Sequence, residues 1–241
     1  RRFQKRLDLP ERKGAVVGLS TTQGCRYVLH IGRHDIAKNA YPYSWIRPER
    51  LVPPRRIAEV SERLRADGTV IDPFDENSCR QALEALCGQG IESLAVCLLH
   101  AYANPEHEIA VRRLAQEILP GVPCSISADI LPVFREYERT TATILNAYVL
   151  PKVAHYHRRL EARLGSMGVG APLRIMKSNG GMYGARAAAE QPIHTALSGP
   201  AAAVVGAILV GETVGQRDVI SIDIGGTSAD ICLSQGAQPT I

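Results

Sequence analysis

The amino-acid sequence predicts an α/β fold, in which helices cover the faces of a parallel sheet. Helical and strand-like patterns alternate along residues 75–130, as they do in layered α/β proteins. The stretch ESLAVCLLH is an almost unbroken apolar run, which is typical of a strand covered on both faces. A second apolar strand, VISIDI, leads into the glycine pair of DIGGTSAD near the end of the sequence. This glycine loop is therefore a candidate binding site.

The first half of the sequence carries the elements of one layered unit. Residues 15–20, AVVGLS, are predicted to form a buried strand, and residues 32–56, which contain four prolines, a long irregular connection. Asp67–Gly68 is expected at the tip of a hairpin. Asp75 is expected to cap a helix through QALEALCG, and Asn104–Pro105 to open the helix HEIAVRRLAQEIL. ESLAVCLLH is the strand between these helices, and PCSISADI is a further short strand.

The second half begins with a long helical pattern. REYERTTATILNAYVL is predicted to form a helix that bends or breaks at Pro151 before it continues through HYHRRLEARLG. LRIMKS is predicted to be a strand that ends at Asn179-Gly180-Gly181. Residues 198–214 are predicted to form a helix of small residues with Pro200 in its first turn. VISIDI, predicted to be a buried strand, follows this helix.

Composition and charge exclude several classes of protein. The 241 residues, of which 45% are hydrophobic and 22% charged, are typical of a globular chain of one large or two small domains. No apolar run reaches the roughly 20 residues that span a bilayer, so no membrane partner is expected. The net charge of +4 comes largely from RRFQKRLDLPERK, which lacks interleaved aromatic residues, so nucleic acid is not expected either. The six cysteines form no CxxC pair, which indicates free thiols in a reducing cytoplasm.

The glycine loop has the composition of a phosphate-binding hairpin. No lysine follows the glycines and Ile231–Leu233 continues as a strand, so the motif is a strand–loop–strand hairpin and not a Walker loop. Gly225 and Gly226 have no Cβ, so a phosphate can approach their backbone N–H groups closely. Thr227 and Ser228 add hydroxyl donors. The structural alternative is a tight β-turn beside a helix of small residues.

Two aspartates flank this loop. Asp223, at the end of a strand, is placed to hold Mg²⁺ through water, because Mg²⁺ binds few carboxylates and keeps several waters. Asp230 either does the same or only ties the hairpin together.

Other residues also have binding chemistry. Arg135 and Arg139 in REYER lie one helical turn apart and can present guanidinium groups to a phosphate or carboxylate; the alternative is a solvated, internally ion-paired face. His100 and His107, with glutamates nearby, allow a metal site, although structural histidines are commoner in this position. Asn179 follows a strand end, the edge at which α/β proteins collect ligands.

The motifs SNGG, SGPAA and DIGGTSAD, in this order, resemble the signature of the hydantoinase A/oxoprolinase family. ERKGAVVGL, ADGTVIDPFDE, AVCLLHAYANPEHE and REYERTTATILNAYV resemble further stretches of this family, so the resemblance covers about Glu11 to Leu233. It implies ribonuclease-H-like lobes of the type found in the ATPases actin, sugar kinases and heat-shock chaperones. By that analogy Asp223–Thr227 is the phosphate loop of the second lobe, and the helix that begins at Ser198-Gly199-Pro200 crosses between the lobes.

The resemblance also implies that the fold is incomplete. Family members open with an earlier aspartate–glycine–glycine–threonine hairpin, which this sequence lacks, and its first residue is not methionine. Residues 1–133 are expected to be the C-terminal part of the family's N-terminal domain. Residues 134–241 are expected to begin the hydantoinase A domain, with its phosphate loop at 219–233. Ala203 and Ala229 stand where the family usually has glycine and threonine, and neither changes the glycine pair.

The activity implied by the resemblance is ATP-dependent hydrolysis of a cyclic amide, in which the ring carbonyl is phosphorylated before the ring opens. The implied cofactors are ATP and Mg²⁺, and the implied catalytic residues are Asp223 and Arg139. The residues expected to bind nucleotide are Gly225, Gly226, Thr227, Ser228, Asp230, Ser198, Gly199 and Asn179.

A hydantoinase B-type partner subunit or domain is implied as well, and with it a hetero-oligomer. Two alternatives to the hydrolase remain open. The first is part of a ketone carboxylase subunit, in which ATP activates bicarbonate or an enolate. The second is a truncated module without catalytic activity.

Overall fold

The computed structural model describes residues 14–32, 50–226 and 229–239. The chain divides into two compact units, residues 1–153 and 154–241. Most of the irregular connection expected at 32–56 lies outside the described residues, as do Thr227 and Ser228. The domain boundary expected between residues 133 and 134 stays a prediction.

A parallel sheet forms the centre of the first unit. The strands of this unit are β1 (Val17–Thr22), β2 (Ile57–Val60), β3 (Arg63–Leu64), β4 (Val70–Asp72), β5 (Ser93–Cys97) and β6 (Cys124–Ile126). Its helices are α1 (Val28–Ile31), α2 (Glu76–Cys87), α3 (Glu106–Ile118), α4 (Ser127–Ile130) and the first part of α5 (Glu136–Ser166). The sheet has the order β2-β1-β5-β6, with every pairing parallel. This arrangement confirms the predicted α/β class.

Strand β5 contributes side chains to two hydrophobic cores, one on each face of the sheet, because its side chains alternate between these faces. Leu94 and Val96 join the core formed with α2 and α3. Ala95 and Cys97 join a second core on the opposite face, which includes Tyr148 of α5. All five residues of β5 are buried, so the prediction of a strand covered on both faces is confirmed.

Local signals set several boundaries of the first unit as predicted. The side chain of Asp75 accepts hydrogen bonds from the N–H groups of Asn77 (3.0 Å) and Ser78 (3.2 Å), and so caps α2. Gly68, at a left-handed φ of 87°, forms the turn between β3 and β4. One prediction is wrong in detail, because PCSISADI continues as a strand only to Ile126 before α4 begins. Of the two alternatives at Pro151, a break is excluded, since α5 runs through this residue, and a bend stays a prediction.

The second unit is built from antiparallel hairpins and a helix of small residues. Its elements after α5 are β7 (Arg174–Met176), β8 (Met182–Gly184), α6 (Ala185–Glu190), a 3₁₀ turn (Pro192–Thr195), α7 (Ser198–Thr213), β9 (Val219–Ile224), β10 (Ala229–Gln235) and β11 (Gln238–Pro239). β7 pairs with β8, and β9, β10 and β11 form a second antiparallel sheet. Gly211 is needed near the end of α7, because an added Cβ would lie 2.6 Å from the carbonyl oxygen of Gln216. Across the described parts of both units, no helix has the length and apolar character that crossing a membrane requires.

The exposure of β9 corrects one prediction. VISIDI was expected to be buried, but Ile220, Ile222 and Ile224 are 60–79% exposed. These three residues share one face of the strand, while Ser221 and Asp223 lie on the other face, beside α7. The alternation of isoleucine with polar residues therefore separates an apolar face from a polar face that helps to form a groove.

Candidate phosphate-binding groove

Three motifs that are distant in sequence meet at one groove of about 220 Å³ in the second unit. SNGG contributes Ser178, SGPAA contributes Pro200 and Ala201, and DIGGTSAD contributes Asp223 and Asp230. The fold brings them together because β9 follows α7 and returns beside it, while the turn after β7 lies at the same end. The groove combines two carboxylates with the first turn of a helix.

Asp223 and Asp230 face each other across the β9–β10 hairpin, where their Cα atoms are register partners. Like charges placed directly opposite on neighbouring strands repel each other, so the pair favours a bound cation. Among the described residues no group of three or more His, Cys, Asp or Glu side chains is arranged to hold a metal. Two carboxylates fit Mg²⁺, which fills its remaining positions with waters and phosphate oxygens.

Helix α7 opens on this groove, and within the described part of the chain no side chain caps its N-terminus. Leu197, just before the helix, has a left-handed conformation (φ 66°, ψ 19°), which is uncommon for a residue other than glycine. Ser198 and Gly199 occupy the first turn, and their N–H groups carry the partial positive charge of a helix N-terminus. The helix end therefore favours an anion beside the two carboxylates.

The SNGG turn is held by its own hydrogen bonds. The N–H of Lys177 donates to the carbonyl oxygen of Gly181 (2.7 Å), and Gly180 has a left-handed φ of 81°. The side-chain oxygen of Asn179 accepts from the N–H of Gly181 (3.1 Å), and Asn179 is exposed. The structure thus places Ser178 on the groove, while the polar side chain of Asn179 stabilises the turn.

The glycine pair follows β9 at the tip of the hairpin. Gly225 and Gly226 are exposed, and a Cβ added at Gly226 would meet nothing within 4 Å. Neither residue lines the groove. Of the predicted nucleotide-binding residues that the structure describes, Asp230 lines the groove, while Ser198 and Gly199 lie next to the lining residues Leu197 and Pro200.

The two arginines of REYER do not share a helix face. Arg135 precedes α5 and is exposed, with its guanidinium carbon 5.2 Å from the centre of the Phe134 ring. Arg139 is fully buried in the first unit, where its Nη2 donates to the carbonyl oxygen of Leu98 at 2.5 Å. Asp223 lines the groove of the second unit and Arg139 is buried within the first unit, so their joint catalytic role stays a prediction.

His107 has a structural partner. Its Nδ1 lies 2.7 Å from the Glu62 carboxylate, and both side chains are almost fully buried. Glu62 also accepts a hydrogen bond from the hydroxyl of Thr22. These contacts join α3 to the end of β1, which favours the structural alternative over a metal site.

Two residues near the groove were missed by the sequence analysis. Lys177 directly precedes Ser178, and its ammonium group lies 5.4 Å from the centre of the Tyr183 ring. The carbonyl oxygen of His194 accepts from the N–H of Ser178 (2.7 Å). Burial raises the pKa of Tyr183 to about 12, so its phenol stays protonated. The sequence offered one signal for Lys177, a basic residue immediately before the SNGG motif.

We expect the second unit to lose stability as the pH falls below about 6.5. Burial, and then the positive charge of Lys177, lower the pKa of His194 from its ordinary value. The folded state therefore binds fewer protons than the unfolded state, so the contribution of His194 is complete above pH 6.5 and is lost at lower pH. Melting temperatures measured from pH 7 to pH 5 should fall less steeply for His194→Gln than for the wild type. His155→Gln, on an exposed residue, is the control, and an unchanged slope in His194→Gln would refute the assignment.

Two family models match this chain, one in each half of the sequence. The model of the hydantoinase/oxoprolinase N-terminal region matches residues 8–119, and the model of the hydantoinase/oxoprolinase family matches residues 139–241. The caprolactamase subunit alpha of Pseudomonas jessenii is 31% identical over 231 residues, which are 95% of this chain and 33% of that subunit. The chain thus spans about a third of the length of this relative.

Two solved structures share the fold. The nucleotide-free structure of acetone carboxylase, from a study of ATP-dependent acetone carboxylation, matches 99% of this chain and 34% of its own, with a TM-score of 0.83 and 29% identity. The ATP-dependent caprolactamase of Pseudomonas jessenii matches 94% of this chain and 33% of its own, with a TM-score of 0.80 and 29% identity. By its sequence motifs, its fold and both family models, this chain belongs to the hydantoinase/oxoprolinase family.

Proposed function

We propose that this chain supplies a phosphate- and magnesium-binding groove to an ATP-dependent enzyme that hydrolyses a cyclic amide. The observation that carries the proposal is the meeting of SNGG, SGPAA and DIGGTSAD around Asp223 and Asp230. Membership of the hydantoinase/oxoprolinase family supports this chemistry, as does the likeness to an ATP-dependent caprolactamase. A partner subunit belongs to the proposal, because the similar caprolactamase chain is itself named as a subunit.

A cyclic amide resists water because resonance stabilises its carbonyl group. ATP, when bound with Mg²⁺, supplies the phosphoryl group that turns the carbonyl oxygen into a leaving group. The protein's part is then mainly positioning and charge neutralisation. Asp223 and Asp230 would hold the cation, and the first-turn N–H groups of α7 with the backbone of Gly225 and Gly226 would bind phosphate oxygens.

A ketone carboxylase is the second candidate, since the acetone carboxylase structure superposes with a TM-score of 0.83. The groove suits both reactions because each needs ATP phosphates to be held. The two candidate reactions differ in the compound that ATP activates, which is a cyclic amide in the hydrolase and bicarbonate or an enolate in the carboxylase. Only the carboxylase requires bicarbonate.

The test is a substrate screen of the full-length protein together with its partner subunit. ATP hydrolysis is measured with hydantoin, 5-oxoproline or caprolactam, and separately with acetone plus bicarbonate. We expect ATP turnover that depends on a cyclic amide and yields the ring-opened product. Turnover that requires both the ketone and bicarbonate would establish the carboxylase instead. If neither set of compounds supports ATP turnover, the chain is a binding module without this catalytic activity.

A further inference from the structure

A buried guanidinium in the first unit has hydrogen-bonding capacity that the fold does not use. Arg139 is 0% exposed, and its Nη2 donates to the carbonyl oxygen of Leu98. Its Nε and Nη1 are buried and have no hydrogen-bond partner among the described residues. A buried charged donor without an acceptor is costly, so this group calls for an acceptor that the described residues do not provide.

A buried carboxylate that also binds Leu98 is already occupied. Glu108 accepts from the N–H of Leu98 (2.8 Å) and the hydroxyl of Ser127 (2.6 Å) through one oxygen. Its other oxygen accepts from the N–H of Ala128 (2.9 Å). Glu108 and Arg139 both bind the backbone of Leu98, one at its N–H and the other at its carbonyl. Within the described residues no hydrogen bond or ion pair joins the two side chains, so the Nε and Nη1 groups of Arg139 keep unused N–H donors.

A second unpartnered group lies on the adjoining turn. The Nδ1 of His100 is buried and has no hydrogen-bond partner among the described residues. Its backbone has a left-handed φ of 59°, a strained conformation for this residue type. The imidazole ring is 5.9 Å from the ring of Tyr102, and the guanidinium carbon of Arg139 is 5.5 Å from the same ring. Tyr102 thus has both unsatisfied groups as neighbours.

This cluster occupies the edge of the sheet where α/β folds bind ligands. Leu98 directly follows β5, the central parallel strand, and the N–H of Leu99 donates to the hydroxyl of Thr22 at the end of β1 (2.8 Å). Leu99, His100 and Tyr102 are half-buried, so the turn that carries them lies between Arg139 and solvent. A ligand of the buried guanidinium would therefore have to enter past this turn.

We propose that Arg139 and His100 bind a small carboxylate at the carboxyl end of β5. A planar guanidinium matches a carboxylate through paired hydrogen bonds, and a protonated Nδ1 of His100 adds a further donor. The enclosed position favours a small planar anion over a tetrahedral phosphate. This site lies wholly in the first unit and does not depend on the ATP chemistry proposed for the second unit.

The test uses acetate as the probe and acetamide as its neutral isostere. Ligands that bind only the folded state raise its melting temperature, so acetate should stabilise the full-length protein and acetamide should not. Titration calorimetry with acetate should show affinity about tenfold or more weaker in Arg139→Lys, because lysine keeps the charge and loses the planar fork. His100→Gly should also weaken binding, and glycine accepts the left-handed backbone, so this variant tests the site even if Arg139→Lys fails to fold.

Arg135→Gln is the matched control, since it removes an exposed arginine four residues away and should leave acetate affinity unchanged. The proposal is overturned if the wild type does not bind acetate or if acetamide stabilises it equally. Retention of full acetate affinity by either site variant would place the anion elsewhere. Tighter binding of phosphate than of acetate at Arg139 would contradict the assignment to a carboxylate. None of these outcomes bears on the lactam-dependent ATP assay.

Discussion

Asp223→Asn is expected to lower ATP hydrolysis that depends on a cyclic amide by about 10²–10³-fold, the usual effect of removing one group that stabilises transition-state charge. The amide keeps the shape of the side chain and removes its negative charge. Without that charge only the carboxylate of Asp230 would remain to hold the proposed cation, and the charge of the phosphates would be neutralised less well. The measurement is kcat for ATP hydrolysis by the full-length protein with its partner subunit and a substrate found in the screen.

The matched control is Asp218→Asn, just before β9. Asp218 accepts from the N–H of Gly236 (2.7 Å) and does not line the groove, and asparagine keeps an acceptor oxygen. This variant should retain wild-type turnover. Asp223→Asn should also melt at a temperature at least equal to that of the wild type in the absence of Mg²⁺, since it relieves repulsion across the hairpin. Undiminished turnover in Asp223→Asn would refute the assignment of the groove.

Glu108→Ala is expected to lower the free energy of unfolding by about 3–5 kcal/mol, as happens when one partner of a buried charged network is removed. Glu108 joins the end of β5 to α4 through its three hydrogen bonds. The variant leaves the N–H groups of Leu98 and Ala128 and the hydroxyl of Ser127 without their acceptor. Burial raises the pKa of Glu108, and the three hydrogen bonds act in the opposite direction. The measurement is urea-induced unfolding of the same protein used for the assays.

Glu106→Ala is the control for this variant. Glu106 lies in the same first turn of α3 but is exposed, so its loss should cost only about 0.3–1 kcal/mol through the helix dipole. Glu108→Gln should lower the free energy of unfolding by an amount between those of Glu106→Ala and Glu108→Ala. Its amide still offers one oxygen acceptor but replaces the other oxygen with an NH₂ group. Equal effects of Glu106→Ala and Glu108→Ala would show that the buried network contributes nothing specific.

Much of the first unit was predictable because its signals are local. The cap at Asp75, the turn at Gly68 and the apolar run of β5 each act within a few residues, and each is found where expected. The end of β6 was harder to predict. Ser127 and Ala128 leave the strand pattern because both bind Glu108, which comes from another helix.

Burial depends on partners that are distant in sequence, and there the predictions were wrong. The helical spacing of Arg135 and Arg139 gave no sign that only the second would be buried, because its contacts are Leu98 and Tyr102. The isoleucines of β9 predicted a covered strand, but α7 packs beside the polar face of that strand. The pairing of Asp223 with Asp230 was foreseeable only in outline, since it required the exact register of the hairpin.

The order of the parallel sheet has a consequence for how the chain is made. Val17 of β1 pairs with Ser93 of β5, whereas Ile57 of β2, the other neighbour of β1, leaves the ribosome much earlier. At a synthesis rate of roughly 5–20 residues per second, about 4–15 seconds pass between the synthesis of Val17 and that of its partner Ser93. Until Ser93 is synthesised, the edge of β1 that later pairs with β5 lacks this partner, and an unpaired strand edge can pair with another chain, so we expect aggregation during synthesis to start at this edge.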